Sequence, residues 1–199
     1  MLKTVFFSFL SRFGPPMLAG LVVYLICLVL FFRRKKPVQK FWLAILFLYL
    51  AAVIHLTIPL TLPQFWHIRA KTTAWAISQI QWIPFQSAGN ILKNSIRIGS
   101  FKEFLRVIGG NFVLLMPLGV LVPLINPRFR LGRMIAVSLL VPIGIEGLQL
   151  LHNILVGSVA RSVEMEDVVL NAAGCLTAYL IFAGLRKLFR PKRTAKQRT

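Results

Sequence analysis

Five apolar blocks constrain this chain more than any other feature in it. A membrane hydrocarbon core requires roughly 17–25 apolar residues per helical crossing. The stretches from about Pro16 to Phe32, Phe41 to Leu60, Val107 to Ile125, Met134 to Val156 and Val168 to Leu188 all reach that length. In lipid a segment must satisfy its own backbone N–H and C=O groups, so such blocks cross as helices. Composition agrees: 57% of the 199 residues are hydrophobic, 15% are charged and the mean hydropathy is +0.74. An ordinary soluble domain is about a quarter charged. The expectation is an all-α polytopic membrane bundle of about five transmembrane helices. It forms a single unit over residues 1–189, followed by a basic cytoplasmic tail, 190–199, of disordered composition. No internal repeat or low-complexity tract stands out.

The charge balance, 24 Lys and Arg against 5 Asp and Glu, raises nucleic-acid binding as a first test. The cations lie in short segments between apolar blocks, however, where topology signals and lipid headgroups place them, so no nucleic-acid partner is expected. Arg33, Arg34, Lys35, Lys36 and Lys40 follow the first block, Arg128, Arg130 and Arg133 the third, and Arg186, Lys187 and the tail the fifth. With five crossings these segments share one side, the cytoplasm, which puts the N-terminus out and the C-terminus in. Residues 61–106 then form a long outer loop. Its cations, Arg69, Lys71, Lys93, Arg97, Lys102 and Arg106, are spread out and count less. Trp66, Trp75 and Trp82 in that loop suit the headgroup level, and a short amphipathic helix is expected around Thr72 to Gln81. Met1 to Gly14 reads as a short N-terminal or interfacial helix kept in the mature protein, because the basic cluster follows the first block instead of preceding it. Cys27 and Cys175 fall inside apolar blocks, act as small hydrophobes and predict no disulfide.

Against this background, four of the five acidic residues crowd into the stretch from Ile145 to Gly174. The topology brings the polar groups to one end. Asn111 lies near the outer end of the third crossing. Glu146, Gln149 and Asn153 share one face of the fourth, and Asp167 and Asn171 open the fifth at a four-residue spacing. Arg161 sits in the short loop between them. Pro117 and Pro142 free the carbonyls of Val113 and Ser138, and Gly109, Gly110, Gly119, Gly144, Gly147 and Gly174 permit close helix approach. The implied structure is a polar pocket opening outward between three packed helices.

Each residue also has a bland role. Gln149, Asn153 and Asn171 suit helix-to-helix hydrogen bonds, at about 1 kcal/mol each. Asp167 suits a helix N-terminus. Glu146 is a stronger functional candidate, since an ionisable group in the apolar core is costly, although a Glu146–Arg161 ion pair would account for both residues. Glu164 and Glu166 read as solvated loop residues. His55 and His67 fall away from the cluster, and His152 lies off the Glu146 face. No phosphate-cradling glycine loop, H-E-x-x-H, paired cysteines or G-x-S-x-G is present. With three scattered histidines, no metal and no cofactor are expected.

The run GGNFVLLMPLGVLVPL, followed by IEGLQLL and ARSVEMEDVVLNAAG, resembles the VanZ-like membrane proteins. QWIPF, Gln81 to Phe85, fits the same pattern, with Gln81 where the family usually has Asn. Leu115 replaces a common Phe, and Glu164 stands where an Asp is common. The resemblance covers roughly Gln81 to Ala183. It implies a bacterial plasma-membrane protein of a family named for resistance to glycopeptide antibiotics, teicoplanin in particular. Carried over by motif, it points to Asn111, Pro117, Gly119, Glu146, Gln149, Arg161, Asp167, Asn171 and Gly174.

The functional expectation is a pocket that binds a cell-envelope lipid or a lipoglycopeptide, with Asn111, Gln149, Arg161 and Asn171 as ligand-binding residues. Membrane lipids, a lipid-linked cell-wall precursor or a lipoglycopeptide are the expected partners. The alternative is an enzyme acting on a lipid-linked cell-wall precursor, with Glu146 as general acid or base and Asp167 as a second catalytic candidate. No nucleophile is identifiable, and five crossings without a repeat argue against the usual transporter designs. Arg161 is expected to pair with Asp167 and to face the pocket.

Overall fold

Pro37 marks the first helix start that sequence chemistry explains directly. Its fixed φ suits the first helical turn, and Lys36 before it is extended (φ −65°, ψ 151°). The Lys36 N–H donates to Gln39 Oε1 at 3.3 Å, which completes the start of the helix. The computed structural model of the chain describes residues 2–58, 70–156 and 161–189. Helix α1 spans Leu2–Leu30, α2 Pro37–Thr57, α3 Ala70–Ser78 and α4 Gln86–Ile98. The next crossing is α5 (Lys102–Phe104), a π-helical turn (Leu105–Gly109), α6 (Gly110–Leu114) and α7 (Met116–Ile125). Helices α8, Leu131–Val156, and α9, Met165–Leu188, complete the order.

Four runs are long and apolar enough to cross a membrane: Pro37–Thr57, Lys102–Ile125, Leu131–Val156 and Met165–Leu188. The shorter apolar Gly14–Leu30 is a fifth candidate. The chain is therefore a multi-pass helical membrane bundle, and among the described residues there is no strand, only one isolated bridge. Over the described residues, the short helix expected within Met1 to Gly14 is continuous with the first apolar block and not separate from it. From Leu2 the backbone runs without interruption through Pro15 and Pro16 into the first apolar block.

Packing centres on α9, which lies against α6, α7 and α8. A Cβ on Gly174 would sit 1.7 Å from the Phe112 carbonyl oxygen, and one on Gly119 would sit 2.2 Å from that of Cys175. These two glycines let the broken third crossing and α9 touch backbone to backbone. The expectation was too broad for Gly109, Gly110, Gly144 and Gly147, where an added Cβ meets nothing within 4 Å. Val53, Leu115, Leu118, Met134, Ile145, Cys175 and Tyr179 form the buried core. Leu139, Leu140, Ile143, Leu180 and Ile181 face outward, as lipid-facing side chains do.

Pro117 breaks the third crossing, but not at the carbonyl expected. Leu115 leaves helical geometry (φ −102°, ψ 6°) and its N–H turns back to the Val113 oxygen. The Leu114 carbonyl is satisfied from α2 instead, where the Tyr49 hydroxyl donates to it at 2.6 Å.

The two ends of the bundle differ. At the basic end, Gln39 Nε2 donates to the Ile125 carbonyl at 2.9 Å, Tyr179 Oη to that of Phe129 at 3.2 Å, and Arg186 Nη1 to that of Pro127 at 3.2 Å. At the other end lie α3 and α4. The helix expected at Thr72 to Gln81 is α3, displaced a few residues earlier. Helix α4 went unanticipated. It buries Ala88 and Ser95 and exposes Gln86, Asn90, Lys93, Asn94 and Arg97. Phe85 precedes it with a left-handed backbone (φ 64°), and Gly99 ends it likewise (φ 70°). The expectations for Trp66, His67, Arg69 and the basic tail from Arg190 lie outside the described residues.

Candidate functional site

At the end opposite the basic loops, the start of α9 is held from several directions. Glu164, just before the helix, is extended (φ −129°, ψ 125°), so its neighbours offer strand-like backbone groups. Gln81 uses them: its N–H donates to the Val163 carbonyl at 2.9 Å and its carbonyl accepts the Met165 N–H at 3.0 Å. The QWIPF turn is thereby docked beside the polar cluster. From α8, Glu146 Oε2 accepts the Glu164 N–H at 3.1 Å.

The polar face of α8 is real and buried, with Glu146, Gln149 and Asn153 each under a tenth exposed. Its members tie down neighbouring chain ends. Gln149 Nε2 donates to the Thr57 carbonyl at 3.0 Å, and Asn153 Nδ2 to that of Arg161 at 2.8 Å. The Arg161 guanidinium in turn donates to the Leu56 carbonyl at 3.0 Å, across the end of α2.

Asp167 is buried in the first turn of α9, where a carboxylate complements the helix dipole. Its Oδ1 accepts the side-chain amide of Asn111, and its backbone carbonyl accepts Asn171 Nδ2 at 2.7 Å. The expected Arg161–Asp167 ion pair does not form. Among the described residues the ion pair within 4 Å is Arg106 with Glu103, at 2.5 Å. The competing partners explain this: Asn111 takes the aspartate oxygen, and the Leu56 carbonyl takes the guanidinium. Arg161 still lies within electrostatic reach of Glu146, Glu164 and Asp167.

Glu166 corrects another expectation. It is not a solvated loop residue but lies inside the first turn of α9, 2% exposed. Its Oε2 accepts the Ala88 N–H at 3.2 Å, so this carboxylate caps the start of α4 from a neighbouring helix, where free N–H groups and the dipole both favour an anion. Glu164 is half-buried. Burial pushes its carboxyl above the ordinary range and neighbouring Glu166 adds to that, while the Ser87 hydroxyl and Arg161 pull it down. Glu164, Glu166 and Asp167 each have a carboxyl oxygen within 4.8 Å of those of the other two.

A cavity of about 450 Å³ opens here, lined by Arg106, Val107, Asn111, Arg161, Ser162, Glu164 and Asp167. Of the expected site residues, Asn111, Arg161 and Asp167 line it. Glu146, Gln149 and Asn171 are not among the lining residues and support the site from α8 and α9. Sequence reasoning missed Arg106, Ser162 and Glu164. Arg106 was counted only as a loop charge, yet it lies in the π-helical turn, a local distortion often found at functional sites. A signal for Glu164 and Glu166 was present in the scarcity of acidic residues elsewhere.

A family model described as VanZ/LLP1 matches residues 46–189. The match starts inside α2, well before Gln81, and takes in every element that builds the cavity. No curated protein and no solved structure matches the chain.

Proposed function

The chain belongs to the VanZ/LLP1 family, and from that premise we propose that its cavity binds the polar headgroup of a cell-envelope lipid or of a lipoglycopeptide at the outer face of a bacterial plasma membrane. The observation that carries this reading is the lining itself. Arg106 and Arg161 bring two guanidinium groups to a cavity that also presents Glu164, Asp167, Asn111 and Ser162. A guanidinium offers planar paired donors that suit a phosphate or a carboxylate. The carboxyl groups suit an amine or a hydroxyl. A headgroup carrying both kinds of function, such as that of a lipid-linked cell-wall precursor, matches this set. The exposed side chains of Trp82, Ile83, Phe101 and Leu105 nearby in sequence supply apolar surface at the same end for a lipid tail.

Binding a lipoglycopeptide such as teicoplanin in this cavity would be one route by which such a protein contributes to glycopeptide resistance. An enzyme using Glu146 as general acid or base would need that carboxyl at the cavity wall. Its Oε2 instead accepts the Glu164 N–H, which favours the binding reading.

The test is native mass spectrometry of the purified chain in detergent, with a lipid-pyrophosphate precursor analogue and teicoplanin offered separately. Retention of one and not the other identifies the source of the headgroup. Arg106→Ala should weaken retention of the bound species without unfolding the protein. If neither compound is retained, or if Arg106→Ala and Arg161→Ala both retain the ligand as well as the wild type, the reading fails.

A further inference from the structure

The basic end of the bundle carries a second cavity, of about 270 Å³, and we propose that it holds the phosphate of an anionic phospholipid from the leaflet on that side. Helix α9 supplies one wall. Tyr179, Phe182, Ala183, Arg186 and Lys187 line it, at spacings of three and four that place them on a single helix face. That face changes character along its length: rings and a methyl group come first, and the two cations come in the last turn. Met165–Leu188 is one of the runs apolar enough to cross a membrane, so cations in its last turn stand at the membrane edge, where long basic side chains reach the headgroups. A phospholipid has the same gradient, an apolar body below an anionic phosphate.

The facing wall comes from the chain between α7 and α8, with Pro127 and Phe129. Backbone carbonyls there would repel an anion, but both of these are taken. The Phe129 carbonyl accepts Tyr179 Oη and the Pro127 carbonyl accepts Arg186 Nη1, each at 3.2 Å. The second bond ties the guanidinium across the two walls. A guanidinium has five N–H donors, so others remain for a phosphate, which its planar fork suits.

Charge decides the sign of the ligand. Arg128, Arg130 and Arg133 lie exposed in the same region. The acidic residues lie elsewhere, Glu103 in α5 and the other four between positions 146 and 167. Among the described residues no ion pair forms at this end. Membrane topology asks only for basic residues in a loop. It does not ask for a cavity between two walls with one of the cations held across it, and basic pockets between helices are where anionic headgroups bind. The C-terminal end of a helix disfavours an anion by itself, so binding here depends on Arg186 and Lys187. The volume falls just below the roughly 300–1,000 Å³ of small-molecule pockets, which suits a headgroup and not acyl chains. The chains would lie along the exposed Leu180, Ile181, Leu185 and Leu188. This site is at the opposite end of the bundle from the cavity of Asn111 and Asp167, and either reading can fail without the other.

The experiment is native mass spectrometry of the full-length chain, delipidated in a neutral detergent and then given dimyristoylphosphatidylglycerol or dimyristoylphosphatidylcholine. One tightly held phosphatidylglycerol per chain is expected, retained under activation that strips phosphatidylcholine. Arg186→Gln combined with Lys187→Gln should weaken it about thirtyfold, at roughly fivefold for each basic group near an anionic surface. Arg33→Gln combined with Arg34→Gln removes the same charge from exposed positions at the same end, outside the cavity lining, and should leave retention close to wild type. Should the first double variant fail to fold, Lys187→Gln alone should still weaken retention about fivefold. Equal retention of the two lipids by the wild type overturns the proposal. So does an equal fall in both double variants, which would show a diffuse basic surface in place of a site. Displacement of the bound lipid by millimolar inorganic phosphate would make free phosphate the ligand and overturn the lipid assignment.

Discussion

The side-chain amide of Asn111, in the short helix α6, donates to the Asp167 carboxyl at the first turn of α9, joining positions 56 residues apart in sequence. Both residues are buried. Asn111→Ala strips a buried carboxyl of its donor, and the cost is that of an unsatisfied group, about 1–3 kcal/mol, not the smaller value of an average helix-to-helix hydrogen bond. Asp167→Asn leaves an amide oxygen to accept and should cost less. Thermal unfolding in detergent that ranks Asp167→Asn as the more damaging change would show the Asn111 contact to be incidental.

Close approach of α6, α7 and α9 gives a second expectation. Gly174→Ala drives a methyl group into the Phe112 backbone, and Gly119→Ala drives one into that of Cys175. Backbone cannot step aside as a side-chain tip can, so each change should cost at least the roughly 1–3 kcal/mol usual for overpacking, with Gly174→Ala the worse. Gly144→Ala meets open space and should be neutral or slightly stabilising, since Ala is the better helix former. Size-exclusion profiles and melting temperatures of the three variants would check the order.

These glycines also mark how far sequence could be read. Apolar length sets the crossings, and the alternation of basic loops sorts the bundle into two ends, which is enough to bring Asn111, Arg161 and Asp167 together. Which glycines touch a neighbour depends on helix rotation, which no motif encodes. Glu166 was misread because the element that covers it, α4, was not recognised. Arg161 was misassigned because backbone carbonyls at helix ends, such as that of Leu56, are acceptors that a reading of side chains leaves out. The Leu115 break was foreseen in kind from Pro117, but not the Tyr49 hydroxyl that satisfies it.

That hydroxyl carries a third expectation. Tyr49 Oη donates to the Leu114 carbonyl at 2.6 Å, where the helix ladder is interrupted. Tyr49→Phe preserves the ring packing and removes only the donor, leaving a carbonyl unsatisfied in apolar surroundings. A loss of about 1–2 kcal/mol is expected, within the range for an unpaired buried polar group. An unchanged melting temperature would mean the break is held by packing alone.

Orientation is decided by accessibility. Lys35 lies between α1 and α2 at the basic end, and exposed Ser100 lies between α4 and α5 at the polar end. If the basic loops face the cytoplasm, Ser100→Cys reacts with an impermeant maleimide added to intact cells and Lys35→Cys reacts only after lysis. Cys175 is buried and Cys27 half-buried within helices, so background labelling should be low. The reverse pattern would turn the cavity toward the cytoplasm and remove external antibiotics from its candidate ligands.

Glu146 separates the binding reading from the enzymatic one. Its Oε2 accepts the Glu164 N–H, which fixes the backbone at the residue that lines the cavity. An amide oxygen can accept the same bond, so Glu146→Gln should keep both fold and ligand retention close to wild type. Glu146→Leu cannot accept it. It leaves the Glu164 N–H unpaired at about 1–3 kcal/mol and lets the start of α9 shift, so ligand retention and melting temperature should fall together. The informative contrast is between function and stability in the glutamine variant. A Glu146→Gln protein that melts like the wild type but has lost its function would mean that the charge or the proton of this carboxyl acts directly. Glu146 would then have to reach the cavity during function, and the general acid or base role would displace the positioning role argued from the resting geometry.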